Sequence, residues 1–155
     1  MVQIKNKDFW KYDENRAGTS IEDIKNVENK LDIKFSKKYV ELMIEHNGGR
    51  VKKNIFEYFD KYENKIFEGN IYLLPLNRPD FSLLETYSDP PEFFPEGLVP
   101  FADDGGGNLT CFDYRKTKEN PSIVFWVHDD PEGEDVHFVA NNFDDFVAML
   151  RKPEY

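Results

Sequence analysis

The fold of this chain is decided by residues 101–114, which have the sequence FADDGGGNLTCFDY. Two carboxylates precede three consecutive glycines, and glycine permits backbone angles that other residues avoid, as well as close approach to the main chain. The segment after the glycines is apolar at both odd and even positions, which is typical of a strand buried on both faces. We therefore predict a tight acidic turn that connects two strands of a sheet.

Further strands are predicted on both sides of this turn. They are short segments rich in β-branched and aromatic residues, bounded by Gly, Pro, Asn or Asp. The links in the second half of the chain are too short for the crossovers that parallel strands need, so we expect an antiparallel meander. The predicted strands are residues 71–74, 98–101, 109–112, 123–128 and 136–139.

Three helices are predicted around this sheet. Each begins at a side chain that can accept a hydrogen bond from the first turn, and each continues as an apolar stripe at helical spacing. The second is expected to end at Asn47-Gly48-Gly49, because Asn and Gly tolerate the left-handed conformation at a helix end. The predicted N-caps are Ser20, Ser36 and Asn142, for helices that extend to about Leu31, Asn47 and Leu150.

The remaining segments have weaker patterns. Residues 55–59 fit either a strand or a helical turn, and the polar residues 61–70 predict a connection. Asp80 is expected to cap one short helical turn. Three prolines exclude a long helix or a central strand from residues 88–97. Residues 1–18 carry aromatics among charges and predict a short amphipathic helix or a docking arm.

The length and composition predict one domain that spans residues 1–155. Fourteen Phe, eight Tyr and two Trp compensate for an ordinary apolar content, because aromatics bury a large area per residue. The single cysteine, Cys111, excludes an intramolecular disulfide. We find no secretory signal and no apolar run long enough to cross a membrane, so a cytoplasmic location is expected.

The net charge of −10 is concentrated after residue 50, where residues 51–155 hold 21 acids against 10 bases. Five acids fall within the seven residues 129–135, DDPEGED. Such a surface repels phosphate backbones, which argues against a nucleic-acid partner. It favours a basic protein as the partner, and solubility alone is the alternative explanation of the charge.

Several ligand sites and catalytic sites are excluded by residue type and spacing. The turn at residues 103–108 lacks the lysine of a phosphate-binding loop, and residues 129–135 depart from the spacing of a calcium loop. Cys111 lies in an apolar strand, where a free cysteine behaves as a small buried hydrophobe. The three histidines lack the paired spacing of a zinc site. We therefore predict no metal, no cofactor and no catalytic residues, and no enzymatic activity.

Three segments follow one another in an order that suggests a family. They are a helix holding Tyr39 and ending in Asn-Gly (residues 31–49), the acidic glycine turn with its strands (residues 98–113), and VANNFDDF at residues 139–146. Together they resemble the SUKH superfamily, which includes fungal cell-wall-synthesis regulators and many bacterial immunity proteins. The resemblance covers about residues 20–150. Phe35-Ser36 depart from it, because the family often has Leu-Pro there, and residues 52–70 show no clear family pattern.

The resemblance implies an α+β domain in which a mainly antiparallel central sheet is wrapped by an N-terminal helix pair and a C-terminal helix. It also implies protein binding, because bacterial members typically neutralise a polymorphic toxin and share no catalytic residues. We therefore predict an immunity protein that binds a basic toxin domain through an acidic surface. The alternatives are a regulatory scaffold of the fungal type without a toxin partner and, as a weaker case, a small hydrolase that uses Cys111 with a histidine.

The predicted partner contacts come from the placement of charge and not from family motifs. The carboxylates would attract Lys and Arg on the partner, and an aromatic pair in the proline-rich loop would anchor the contact. Burial of that aromatic pair in the core is the favoured alternative to an exposed apolar patch. The predicted contacts are Asp103, Asp104, Asp129, Asp130, Glu132, Glu134 and Asp135, with Phe93 and Phe94 as anchors.

Overall fold

A computed structural model describes residues 6, 8–11 and 17–154 of the chain. Most of the segment predicted as an amphipathic helix or docking arm, residues 1–18, lies outside the described residues. Within it, Trp10 is fully buried and forms an isolated antiparallel bridge with Val51. Its ring lies 4.6 Å from that of His46, so at least this part of the N-terminal segment belongs to the folded domain.

Within the described residues, seven strands form two antiparallel sheets, and the larger sheet is the predicted meander. The strands are β1 Ile55–Asp60, β2 Lys65–Asn70, β3 Tyr72–Leu73, β4 Leu98–Asp103, β5 Leu109–Asp113, β6 Ser122–Trp126 and β7 Val136–Ala140. The larger sheet has the order β3-β4-β5-β6-β7, with each strand paired to its neighbour in sequence. The prediction that β5 is buried on both faces is confirmed, since Leu109, Cys111 and Phe112 are all buried.

The connection predicted for residues 61–70 is wrong, because most of this segment is a strand. β1 and β2 form a hairpin in which Phe59 is opposite Ile66. The inner face of the hairpin packs on the larger sheet, with the Phe56 and Tyr58 rings each 5.2 Å from that of Phe125. Lys65 and Glu68 of β2 are charged and exposed, so the sequence of this strand has the low hydrophobicity of a loop.

The part of the chain that the structure describes has four helices beside the larger sheet, and two of the three predicted caps are confirmed. The helices are α1 Ile21–Leu31, α2 Lys37–Glu45, α3 Leu83–Ser88 and α4 Phe143–Met149. The Ser20 hydroxyl accepts a hydrogen bond from the Asp23 N–H at 3.0 Å. The Asn142 side chain accepts one from the Asp145 N–H at 2.8 Å. The first and last helices therefore begin where the sequence predicts.

The caps predicted for α2 and α3 need correction. Ser36 precedes α2, but no N–H of the described residues donates to its side chain. The buried face of α2, which includes Tyr39 and Leu42, stabilises the helix instead. In α3 the cap is Ser82, which accepts from the Glu85 N–H at 3.1 Å, because Asp80 lies two residues too early to reach that donor.

Aromatic side chains fill the space between one face of the larger sheet and the helices. Phe112 lies at the centre of this core, stacked on Phe101 with the ring centroids 4.3 Å apart. Tyr39 and Phe143 contact the Phe112 ring at 5.1 and 5.7 Å. A smaller cluster covers the opposite face of the sheet. It consists of Leu98, Leu109, Cys111, Val124 and Trp126.

Candidate functional site

Two acidic loops meet at one end of the larger sheet. In an antiparallel meander the β4–β5 turn and the β6–β7 loop lie at the same end, and here they are joined by hydrogen bonds. The Asn108 side-chain oxygen accepts from the His128 N–H at 3.0 Å and lies 2.7 Å from His128 Nδ1. We call the surface formed by residues 103–108 and 129–135 the acidic end. The structure thus brings the seven predicted carboxylates into one region.

The carboxylates of the β4–β5 turn hold the turn itself. Asp104 accepts from the N–H groups of Gly106 and Asn108 at 2.8 and 3.1 Å, and from the Asn108 side-chain amide at 2.9 Å. Asp103 accepts from the Gly105 N–H at 3.2 Å. Burial raises the pKa of Asp103; the Gly105 N–H opposes this rise, and the Asp104 charge adds to it. These contacts agree with the prediction of a structural turn.

Replacing Asp104 by alanine should lower the free energy of unfolding by about 1–3 kcal/mol, because it removes the acceptor for three donors in a half-buried turn. Urea unfolding at neutral pH measures this change. Asp103→Asn is the matched control, since an amide oxygen can still accept from Gly105 and the carboxyl that it replaces has a raised pKa. The control should be as stable as the parent or slightly more stable. Equal losses in both variants would contradict the role given to Asp104.

In the β6–β7 loop the carboxylates divide into two groups. Asp135 is buried and accepts from Trp126 Nε1 at 3.0 Å, and Asp130 lies 2.8 Å from His137 Nε2. These two side chains therefore shape the loop from within. The other three carboxylates of the loop are exposed. They belong to Asp129, Glu132 and Glu134.

The two phenylalanines of the proline-rich loop have different environments. Phe93 is 75% exposed and has a positive φ of 67°. Phe94 is half-buried, and its ring meets that of Trp126 edge to face at 5.1 Å. The core interpretation therefore fits Phe94, while Phe93 is accessible to a partner. Partner binding by either residue stays a prediction.

An apolar surface beside the acidic end was missed from the sequence. Its side chains are between 45% and 67% exposed, on the outer face of the β1–β2 hairpin and on β7. We call it the hairpin patch, and it consists of Phe59, Tyr62, Ile66 and Phe138. The Tyr62 hydroxyl donates to the Gly133 carbonyl at 2.8 Å, which fixes the hairpin turn against the acidic loop. The sequence does not indicate this patch, because the polar composition of residues 61–70 predicts a connection and not a strand.

A groove of about 380 Å³ separates two members of the hairpin patch. Phe59 and Phe138 line it from opposite strands, together with Val136 and Arg115. Arg115 donates to the Asp113 carboxylate through two nitrogens, each at 2.9 Å. Burial opposes ionisation of Asp113, but the hydrogen bonds from Arg115 outweigh it and hold the Asp113 pKa below its usual range. The groove thus combines exposed aromatic surface with a neutralised ion pair.

The structure removes Cys111 as a candidate nucleophile. Its side chain is fully buried in β5, and burial raises the pKa of the thiol well above its ordinary value. A catalytic cysteine needs access to substrate and a lowered pKa. The hydrolase hypothesis based on Cys111 is therefore wrong.

A cluster of two carboxylates and one imidazole also lies at the acidic end. One ligand atom from each of Asp60, Asp130 and His137 lies within 4.8 Å of the other two. These residues are far apart in sequence, and Asp60 lies at the end of a strand that the sequence did not define. The absence of paired histidine spacing therefore could not predict the cluster.

Comparison with known proteins gives two matches. The model of the SMI1 / KNR4 family (SUKH-1) matches residues 18–149. The SPbeta prophage-derived uncharacterized protein YokK of Bacillus subtilis (strain 168) is 37% identical over 68 residues. That alignment covers 43% of this chain and 32% of YokK, so the match spans about a third of the relative. Among the described residues, no helix has the length and apolar character needed to cross a membrane.

Proposed function

The chain belongs to the SMI1 / KNR4 family (SUKH-1), and from this premise we propose that it is an immunity protein that binds and neutralises a basic toxin domain. Proteins of this family generally act by contact with other proteins. The observation that carries the proposal is the union of the two acidic loops through Asn108 and His128. It makes one continuous acidic surface from segments about 20 residues apart in the chain. The proposed site of action is the cytoplasm.

The exposed carboxylates of the β6–β7 loop would guide the partner to this surface. Asp129, Glu132 and Glu134 are exposed, and Asp129 Oδ1 lies 3.3 Å from His128 Nε2, whereas Asp130 and Asp135 are held by His137 and Trp126. A concentration of one charge sign raises the rate at which an oppositely charged protein associates. It also disfavours nucleic acid, whose phosphates carry the same sign as the loop. The chemistry therefore supports a protein partner rich in Lys and Arg.

The internal contacts of the acidic end would reduce the entropy lost on binding. Trp126 holds Asp135, and Tyr62 of the hairpin turn holds the carbonyl of Gly133. A loop that is already fixed in its bound conformation loses little conformational entropy when a complex forms. We propose that the buried acids keep the exposed acids in position, and that only the exposed ones meet the partner directly.

Aromatic anchors would supply much of the affinity, since a few buried aromatics dominate the energetics of many interfaces. Phe93 remains one candidate because it is highly exposed. The hairpin patch adds Phe59 and Phe138, which line a groove beside the acidic loop. The proposed mechanism is occlusion, in which the acidic end pairs with basic residues of the toxin while these rings exclude water from the contact.

The test is binding to the toxin domain encoded beside this gene, produced in a catalytically inactive form. Replacing Glu132 and Glu134 together by lysine should lower the association rate constant at least about tenfold at low ionic strength. The matched control replaces Glu119 and Glu154 by lysine, which changes the net charge equally. Both control residues are exposed and lie away from the acidic end, Glu119 in the β5–β6 connection and Glu154 after α4. The control should retain most of the parent rate.

Two results would reject the proposal. One is failure of the parent protein to bind any toxin domain encoded in its neighbourhood. The other is an equal loss of rate in the two double variants, because that would assign the effect to net charge rather than to the acidic end. A stable complex with a protein that is not a toxin would favour the regulatory scaffold.

A further inference from the structure

Two carboxylates share one buried imidazole where the β1–β2 hairpin meets the acidic loop. The His137 side chain is 1% exposed, and its Nε2 lies 2.8 Å from Asp130 Oδ2 and 3.9 Å from Asp60 Oδ2. The Asp60 side chain is itself only 9% exposed. Among the residues that the structure describes, His137 is the only basic side chain within 4.0 Å of either carboxylate.

We propose that Asp60, Asp130 and His137 form a binding site for a divalent transition-metal ion, with Zn²⁺ as the best match. An imidazole nitrogen and two carboxylate oxygens are ordinary zinc ligands, and three protein ligands leave a fourth position for water. The inference does not depend on the proposed function, because it concerns the chain alone.

The charge of the cluster favours a cation. With a neutral imidazole, two negative charges lie together at largely buried positions, and a protonated imidazole balances only one of them. Removing unbalanced charge from water is costly, whereas a divalent ion neutralises both carboxylates.

The distances require only small adjustments to hold an ion. Ligand atoms bound to one tetrahedral Zn²⁺ at about 2.0–2.2 Å are separated by roughly 3.3–3.6 Å. The contact from His137 to Asp130, now 2.8 Å, would widen, and the one to Asp60, now 3.9 Å, would shorten. The third separation, between the two carboxylates, is no more than 4.8 Å. To bind the ion through Nε2, the His137 ring must be neutral with its one proton on Nδ1; a ring that carries both protons would release the Nε2 proton to solvent.

Two neighbours already orient the ligands. Asp60 Oδ1 accepts from the N–H groups of Tyr62 and Glu63 at 2.9 and 3.1 Å, so the other oxygen faces His137. The Tyr58 ring packs on the His137 ring with the centroids 5.2 Å apart. Such supporting contacts position the first ligands of a metal and tune its affinity. A bound ion would tie together the end of β1, the β6–β7 loop and β7.

The experiment is calorimetric titration of the tag-free, EDTA-treated full chain with ZnCl₂. We expect one ion per chain for the parent, with affinity lowered at least about tenfold in Asp60→Asn and in Asp130→Asn. The asparagine at position 60 keeps an oxygen for the Tyr62 and Glu63 donors, so it removes charge while preserving the turn. The matched control is Asp129→Asn, which changes the exposed neighbour of Asp130 and should bind like the parent.

Circular dichroism and thermal unfolding without metal identify which variants are folded. The test needs only one folded cluster variant, either Asp60→Asn or Asp130→Asn. The parent should also unfold at a higher temperature with Zn²⁺ than without it. Absence of saturable binding to the parent would overturn the proposal. So would unchanged affinity in the folded cluster variants, or a loss confined to Asp129→Asn, which would place the ion near His128 instead.

Discussion

Replacing Phe112 by alanine should lower the free energy of unfolding by about 3–5 kcal/mol, the range seen when a buried aromatic leaves a cavity. Phe112 is fully buried, stacks on Phe101 and meets rings from two helices. The cavity would lie between strands and helices that cannot move together without breaking other contacts. For a chain of 155 residues this corresponds to a fall in melting temperature of roughly 6–20 °C. Urea unfolding and calorimetry measure the two quantities.

The matched control is Phe93→Ala, the same substitution at a phenylalanine that is 75% exposed. The expected change in its free energy of unfolding is within about 0.5 kcal/mol, because the Phe93 side chain buries little apolar surface in the folded protein. Phe93 also has a positive φ, so alanine gains no relief of backbone strain over phenylalanine. A loss at Phe112 no larger than that at Phe93 would show that the aromatic cluster is not the main source of stability.

The main sheet and its enclosing helices were predictable because their signals are local. Turn residues separate β4 to β7, and Ser20 and Asn142 form the caps that their side chains suggest. The β1–β2 hairpin was not predictable, since Gly69 and the exposed charges of Lys65 and Glu68 dilute the strand pattern of β2. What makes it a strand is distant in the chain, namely the surface of β6 and β7 on which Phe56 and Tyr58 pack.

The candidate site was predictable in composition and not in arrangement. Residue charge located both acidic loops, and the meander alone would place them at the same end. Sequence could not separate Asp135, which Trp126 binds internally, from the exposed Glu134 beside it. It also could not find the cluster around His137, because Asp60 comes from a strand 77 positions earlier in the chain. Assignments that depend on which side chains turn inward need the three-dimensional structure.

Replacing Gly48 by alanine should lower the free energy of unfolding by about 3–5 kcal/mol, through backbone strain and steric conflict combined. Gly48 has a φ of +76°, a region that side chains disfavour. An added Cβ would lie 2.6 Å from the Pro75 nitrogen and 2.7 Å from the Leu73 carbonyl oxygen. Both are backbone atoms, so relief requires β3 to move away from the end of α2. Urea unfolding of the variant measures the loss.

Gly105→Ala separates the two causes, because Gly105 has nearly the same φ, +80°, but no described heavy atom within 4 Å of an added Cβ. Strain alone should cost about 1–2 kcal/mol there. Equal losses at the two glycines would contradict the importance of close approach at Gly48. The expected difference arises because Gly49 exchanges hydrogen bonds with Leu73, which holds the end of α2 directly against the sheet. The acidic glycine turn, by contrast, is held by its own carboxylates. An added methyl group at Gly105 should therefore cost only the backbone strain, without the steric conflict expected at the end of α2.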